Sequence, residues 1–311
     1  MRYHWRLLDA GPLLLDGGSM FGVVPKVLWQ KQAPPDETNR IPLGHNCLWL
    51  EPEGGGPAVV IETGSGDKFD AKNRAIFGLT DRTILTAMAE VNLDPSRVSH
   101  VIVTHLHFDH AGGLTRLARQ GETADWTSTD GLAVKLTWPE AHVIVQQREW
   151  QDAVANTSVM TRTYLREHLL PVEHRLHLVD SPLPFAPGHT PRRDEPPRLA
   201  LRDLCTQVLP GIDVFRVPGH TWGQQAVLFR DTRDRTIVFT PDVMPSVHHV
   251  GAAYSMAYDV EPYMTMSVKS WFLGEAVAGG WTLVIDHEPR TPVVTVEPDG
   301  KGWYRLLPVD A

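Results

Sequence analysis

The stretch 104-THLHFDHAGG-113 places three histidines and one aspartate directly after a run of β-branched residues. The residues that lead into it, 98-VSHVIVTH-105, predict a buried strand, because β-branched side chains favour extended backbone. Successive side chains of a strand point to opposite faces, so His105 and His107 lie on the same side of the extended segment. The pattern therefore predicts two imidazoles that point into one site at the end of a strand.

The second half of the motif continues the same site. The chain turns at Phe108, and Asp109 and His110 lie where a helix would begin; 114-LTRLARQ-120 is then predicted to start a helix. Four ligand-type side chains so close in sequence fit two neighbouring metal ions better than one. Imidazole and carboxylate without thiolate suit zinc, and manganese, iron and cobalt are also compatible.

Three further ligand-type residues follow predicted strands. Strands that all deliver polar groups to one edge of the sheets build a common site there. The residues are His220 after 212-IDVFRV-217, Asp242 after 236-TIVFT-240, and His287 after 281-WTLVID-286. We expect these three side chains to complete the metal site.

One competing assignment arises because the tetrapeptide Pro-Gly-His-Thr occurs twice, in 186-APGHTPR-192 and in 217-VPGHTWG-223. His189, in the first copy, lies in a proline-rich segment that cannot form regular structure. Pairing His189 with Asp213 is an alternative, but Asp213 opens a strand and does not end one. The sequence therefore favours His220 as the ligand.

The remaining pattern predicts an α/β fold. Some strands follow one another as meanders and others alternate with helices, which favours one layered domain, residues 1–311, with mixed sheets. The segment 16–45 is rich in Gly and Pro but carries Met20, Phe21 and Trp29. We expect it to be irregular and to cover a pocket or a subunit interface.

Composition narrows the functional classes. With 311 residues the chain can bury a large core, and its net charge of -8 argues against a broad surface for nucleic-acid phosphates. No apolar run approaches the roughly 20 residues of a membrane span. Two cysteines, Cys47 and Cys205, do not make a disulfide framework. No signal peptide is recognised at the N-terminus, so we expect a cytoplasmic protein without membrane or nucleic-acid partners.

Together these motifs resemble those of the metallo-β-lactamase superfamily. The resemblance implies an αβ/βα sandwich, two mixed β-sheets flanked by helices, with two divalent metal ions at one edge. It also implies the metal ligands, which are His105, His107, Asp109, His110, His220, Asp242 and His287. The motifs that carry it are H-x-H-x-D-H at 105–110, G-H-T at 219–221, 240-TPD-242, 286-DHE-288 and 62-ETG-64, where Glu62 replaces the usual aspartate.

Within the superfamily the chain is most similar to the quorum-quenching N-acyl-homoserine lactonases. The resemblance implies that Asp242 bridges two ions, that a hydroxide between the ions attacks the lactone carbonyl, and that Asp109 helps to pass a proton to the leaving group. Many lactonases of this group carry a carbonyl-binding tyrosine three residues after the bridging aspartate. Here that position is Pro245, and His248, Tyr254 and Tyr258 are the candidate replacements.

Other expectations concern substrate and assembly. Met20 and Phe21 suit an acyl chain if segment 16–45 folds over the cleft, with core packing or a dimer contact as the alternative, and His248 is a candidate substrate-side group. A homodimer through segment 16–45 is expected. Phosphotriesterase or arylesterase activity on the same two ions is the main alternative function. An iron-dependent oxidoreductase is a weaker one, since flavodiiron proteins typically carry a glutamate where His107 stands.

Overall fold

Two large β-sheets dominate the computed structural model, which describes residues 1–157, 162–192 and 195–309. Strands and helices are numbered in chain order. The first sheet contains, in spatial order, β1 (Tyr3–Asp16), β2 (Arg40–Pro52), β3 (Ala58–Ile61), β4 (Val98–Ile102), β8 (His142–Gln146) and β9 (Leu176–Val179). The pairs β1·β2 and β2·β3 are antiparallel and the other three are parallel, so this sheet is mixed.

The second sheet is also mixed, because β13 and β14 are parallel while its other pairs are antiparallel. Its strands are β10 (Thr206–Leu209), β11 (Ile212–Arg216), β12 (Gln225–Arg230), β13 (Thr236–Thr240), β14 (Thr282–Ile285), β15 (Val293–Pro298) and β16 (Tyr304–Pro308). A small antiparallel sheet holds β5 (Thr115–Leu117), β7 (Ala133–Leu136) and β6 (Trp126–Thr127).

Helices lie between the strands along the described part of the chain. They are α1 (Gly17–Phe21), α2 (Lys26–Trp29), α3 (Ala71–Phe77), α4 (Ile84–Glu90), α5 (Phe108–Ala111), α6 (Gln147–Ala155), α7 (Arg166–Leu169), α8 (Leu201–Leu204) and α9 (Pro262–Gly279). In the described part of the chain, no helix is long and apolar enough to cross a membrane.

Strand alternation builds three apolar layers. In β3, Val60 packs in the cluster that contains Met88 of α4, whereas Val59 and Ile61 belong to the cluster between the sheets. On the far side of the second sheet, Phe272 of α9 packs in a third cluster. This arrangement confirms the predicted αβ/βα sandwich; that the whole chain is one domain stays a prediction.

Two local predictions were wrong. Residues 114–120 do not start a helix, because Thr115–Leu117 pairs with Ala133–Leu136 and this sheet pairing outweighs the helical propensity of the segment. Segment 16–45 is less irregular than expected, since it contains α1 and α2 and its last residues already belong to β2.

Candidate metal centre

The predicted ligands meet where strands of both large sheets end. His105 and His107 follow β4, and α5 then carries Asp109 and His110. The second sheet supplies His220 after β11, Asp242 after β13 and His287 after β14. All seven side chains are buried.

The first cluster joins side chains from both sheets. Ligand-type atoms of His105, His107, His220 and Asp242 all lie within 4.8 Å of one another. His107 Nδ1 and His220 Nε2 are 2.9 Å apart, and Asp242 Oδ2 lies 3.0 Å from His220 Nε2 and 3.8 Å from His105 Nε2. This cluster could hold one metal ion.

The second cluster shares Asp242 with the first. It groups His110, Asp242, Asp286 and His287, again within 4.8 Å. The two imidazoles face each other, with 3.1 Å between His110 Nε2 and His287 Nε2. Asp109 also reaches this place, because its carboxylate oxygens lie 3.8 Å from His110 Nε2 and 3.7 Å from His287 Nε2. Asp242 therefore stands between two groups of ligand atoms.

The other ring nitrogens of these histidines are held by the protein. His220 Nδ1 is 2.8 Å from Asp259 Oδ1, and His287 Nδ1 is 2.8 Å from the carbonyl oxygen of Gly44. His110 Nδ1 is 3.1 Å from Glu62 Oε2, while Glu62 Oε1 accepts a bond of 2.6 Å from the amide of Thr104. Such outer partners orient metal-binding imidazoles. Glu62 of the E-T-G motif thus supports the site from beneath.

Two glycines allow the close approach that the site needs. A Cβ on Gly112 would lie 2.2 Å from the carbonyl oxygen of Ser65, so only glycine lets this turn rest against the E-T-G segment. Gly219 has φ +138, and a Cβ there would lie 2.4 Å from Thr265 Oγ1. The residue before His220 is therefore restricted both by backbone angle and by space.

Opposite charges are closely paired among these side chains. Burial alone would lower the pKa of His220, but the Asp242 and Asp259 carboxylates raise it to about 10. Burial likewise opposes the rise in the pKa of His110, which Glu62 and Asp109 bring well above its usual value. Burial lowers the pKa of His105 well below its usual value, and neighbouring histidines add to that effect. The site thus combines carboxylates with both neutral and protonated imidazoles.

Unpartnered polar atoms indicate that the residues fit metal ions. His105 Nε2, Asp242 Oδ1 and Asp286 Oδ2 are buried without a hydrogen-bond partner, and all three belong to residues of the two clusters. Buried polar atoms normally have a hydrogen-bond partner. Atoms without one, surrounded by imidazoles and carboxylates, therefore suggest that a positively charged ligand binds there. The donor set of imidazole and carboxylate suits Zn²⁺.

The other predicted residues lie elsewhere. His189 is exposed, and its Nε2 is 2.6 Å from Glu195 Oε1. Met20 and Phe21 are fully buried, and Phe21 stacks on His249 with 4.8 Å between ring centroids. Their burial favours packing of segment 16–45, the alternative weighed above; a role in substrate binding stays a prediction.

His248 lines a cavity of about 100 Å³ together with Glu288 and Arg290. Burial lowers its pKa. Its role as a substrate-side group stays a prediction.

Sequence reasoning missed two groups at the centre. Asp286 directly precedes His287, so its place at a strand end could have signalled it. Asp259 follows no strand; it comes to the site from the loop before α9, and no local pattern marks it. Tyr258, one of the candidate replacements named from the sequence, lies in the same loop, with its ring centroid 5.9 Å from that of His220.

Fold and site together define a protein of the metallo-β-lactamase fold with a candidate metal centre at the edge of its sheets. The family model described as the metallo-beta-lactamase superfamily matches residues 40–238, and the chain belongs to that superfamily. The predicted family is therefore confirmed.

Curated relatives are distant lactonases. An N-acyl homoserine lactonase from Bacillus thuringiensis is 24% identical over 208 residues, and one from Bacillus sp is 22% identical over 209 residues. Each match covers 63% of this chain, and the chain spans only 62% of the length of these relatives.

Solved structures support the fold over nearly the whole chain. A probable metal-dependent hydrolase from Staphylococcus aureus has a TM-score of 0.77 at 24% identity, covering 99% of this chain and 98% of that one. AidC, a dizinc quorum-quenching lactonase in complex with a product, has a TM-score of 0.71 at 13% identity, covering 99% and 95%.

Proposed function

We propose that this chain is a dinuclear metal hydrolase that opens the lactone ring of N-acyl-homoserine lactones. The observation that carries the proposal is the position of Asp242, whose carboxylate is shared by two buried clusters of ligand atoms. His105, His107 and His220 would hold one ion, and Asp109, His110 and His287 the other. Zn²⁺ is the ion that these donors suit best.

The chemistry follows from this donor set. Two bound ions would make water nucleophilic at neutral pH and would polarise an ester carbonyl. Asp242 fixes the spacing of the two clusters. The carboxylate of Asp109 lies beside the His110 and His287 rings, where it could accept a proton from the attacking water and return it to the departing alkoxide.

Tyr258 is our candidate for the group that binds the substrate carbonyl, since the tyrosine that does so in many lactonases is replaced by Pro245 here. It is half-buried, and its ring lies beside His220. Burial raises the pKa of Tyr258 well above its usual value and the carboxylate of Asp242 adds to this, so the phenol stays protonated and can donate a hydrogen bond. The phenol donates a hydrogen bond of 2.8 Å to the sulfur of Met20, a weak acceptor that a substrate carbonyl would replace.

We propose lactones as the substrates because the curated relatives are lactonases. The test combines metal quantitation with hydrolysis assays on homoserine lactones of varied chain length, aryl esters and a phosphotriester. We expect two ions per chain and the highest kcat/KM on a lactone, and we expect Tyr258→Phe to lose about tenfold to a hundredfold in kcat/KM without losing metal. A fully metallated protein that leaves every lactone intact would overturn the lactonase proposal.

We also propose a homodimer through segment 16–45. Val23, Val27 and Leu28 are 76%, 59% and 52% exposed, although neighbouring residues of the segment are buried. Exposed apolar side chains in a cluster are typical of subunit contacts. Leu28→Asp should convert a dimer to a monomer in sedimentation experiments, and a wild-type monomer at micromolar concentration would contradict the proposal.

A further inference from the structure

A buried carboxylate outside the ligand set joins two of the ligand-bearing loops. Glu149 lies in the first turn of α6 and is 0% exposed. Its Oε1 accepts hydrogen bonds from the amide of Leu106, at 3.0 Å, and from the phenol of Tyr164, at 3.3 Å. Its Oε2 accepts a hydrogen bond of 2.6 Å from the hydroxyl of Thr221.

The partners of Glu149 are the immediate neighbours of three candidate ligands. Leu106 lies between His105 and His107, and Thr221 follows His220. The loop that carries Leu106 follows β4 of the first sheet, and the loop that carries Thr221 follows β11 of the second sheet. One side chain thus joins loops that belong to opposite halves of the sandwich.

Packing at the same place is tight. A Cβ on Gly223 would lie 2.3 Å from the amide nitrogen of Glu149, so the His220 loop rests directly on the start of α6. The ring of Tyr164 lies 5.2 Å from that of His107, which places the third donor against a ligand as well. The two loops contact Glu149 and each other. A small shift of this carboxylate would therefore change the distance between the imidazoles of His107 and His220.

We propose that Glu149 is a positioning residue that fixes the geometry of the ion held by His105, His107 and His220. The proposal rests on the dinuclear function proposed above. Without this acceptor, a buried amide and a buried hydroxyl lose their partner, and the two loops relax apart to satisfy them. The other ion depends on His110 and His287, which Glu62 and Gly44 hold, so its binding stays unchanged.

The test is a zinc titration of the metal-free protein against a competing chelator, which yields two dissociation constants. We expect Glu149→Ala to weaken one constant about tenfold to a hundredfold and to leave the other within about threefold of wild type. Glu149→Gln keeps an oxygen for Leu106 and presents an amide to the Thr221 hydroxyl, which can accept, so it should restore the weakened constant. Thr221→Val, which removes one donor at nearly constant volume, should weaken the same constant.

A matched control separates positioning from general stability. Gln146 is also 0% exposed and hydrogen-bonds Ser181, Gln225 and Arg216, but in the described part of the chain it makes no hydrogen bond to Leu106 or Thr221. Gln146→Leu should lower the melting temperature and leave both zinc constants unchanged.

Several results would overturn the inference. These are unchanged constants in Glu149→Ala, equal weakening of both constants, or a Glu149→Gln variant as weak as the alanine variant. If Glu149→Ala does not fold, Thr221→Val decides, and unchanged constants there count against the proposal. A wild-type chain that binds fewer than two zinc ions would overturn the proposed function itself and this inference with it.

Discussion

The two Pro-Gly-His-Thr copies, residues 187–190 and 218–221, show how little a tetrapeptide decides by itself. His220 is 1% exposed and faces another imidazole across 2.9 Å. His189 has the same neighbours in sequence, yet its side chain is 44% exposed and pairs with Glu195 at the surface. The same four residues thus produce a candidate metal ligand in one place and a surface loop in the other.

The difference lies in what precedes and follows each copy. Residues 218–221 lie between β11 and β12, so the sheet fixes where the loop starts and ends. Residues 187–190 lie among prolines, and the described residues around them contain no strand. The sheet positions the chemistry, and the tetrapeptide only supplies an imidazole.

The largest difference should appear when each of the two histidines is replaced separately by alanine. His220→Ala removes a ligand, so we expect the loss of one ion and a fall in hydrolysis of roughly a thousandfold, or about 4 kcal/mol. His189→Ala should keep both ions and full activity. Elemental analysis and initial rates check both; metal loss in the second variant alone would reverse the assignment.

A smaller effect is expected from the carboxylate partner of each histidine. Asp259→Asn weakens the group that orients His220, and we expect metal affinity to fall about tenfold to a hundredfold. Glu195→Gln changes the partner of His189 and should leave metal affinity unchanged. Competition with a chelator measures the metal affinity of both variants. Equal affinities would show that the partners of His220 and His189 do not differ in their effect on metal binding.

The raised pKa of His220 predicts a pH dependence of metal binding. Because this pKa is about 10, the ring is protonated at pH 7 and must release a proton before its Nε2 can bind metal. Affinity for that ion should therefore rise about tenfold per pH unit from pH 7 and level off near pH 10. Calorimetry in two buffers of different ionisation enthalpy counts the released proton, and a pH-independent affinity would contradict the expectation.

The glycines before the two histidines offer the smallest test, on stability alone. Gly219→Ala meets Thr265 and requires a positive φ, so we expect a loss of about 3 kcal/mol in the free energy of unfolding. Gly188 also has a positive φ, of +71, but nothing lies within 4 Å of its Cβ position. Gly188→Ala should cost about 1 kcal/mol. Urea denaturation gives both values, and equal losses would show that backbone angle alone decides.

The sequence predicted what local pattern encodes. Strand ends followed by His or Asp were a sufficient pattern to predict that His105, His220, Asp242 and His287 lie together. The reason is that these strands end at the same edge of the sheets. The segment after Gly113 was assigned wrongly, since its strand exists only through pairing with a partner formed later in the chain.

The outer shell of the site was beyond sequence reasoning. Asp259 and Glu149 reach the centre from a loop and a helix whose positions depend on tertiary packing. A buried Glu in the first turn of a helix looks the same in sequence as a solvated one. Only the positions of its donors distinguish it.

The two sheets share ligands, and this has a consequence for the lifetime of the protein. The first sheet contributes four of the candidate ligands and the second contributes His220, Asp242 and His287, so ions bound as proposed act as crosslinks between the halves. By mass action, an ion at a hundred times its dissociation constant stabilises the folded chain by about 2.7 kcal/mol. A fall in metal supply would then raise the unfolded population and expose the chain to proteolysis, so that metal availability sets how long each molecule survives as well as how fast it works.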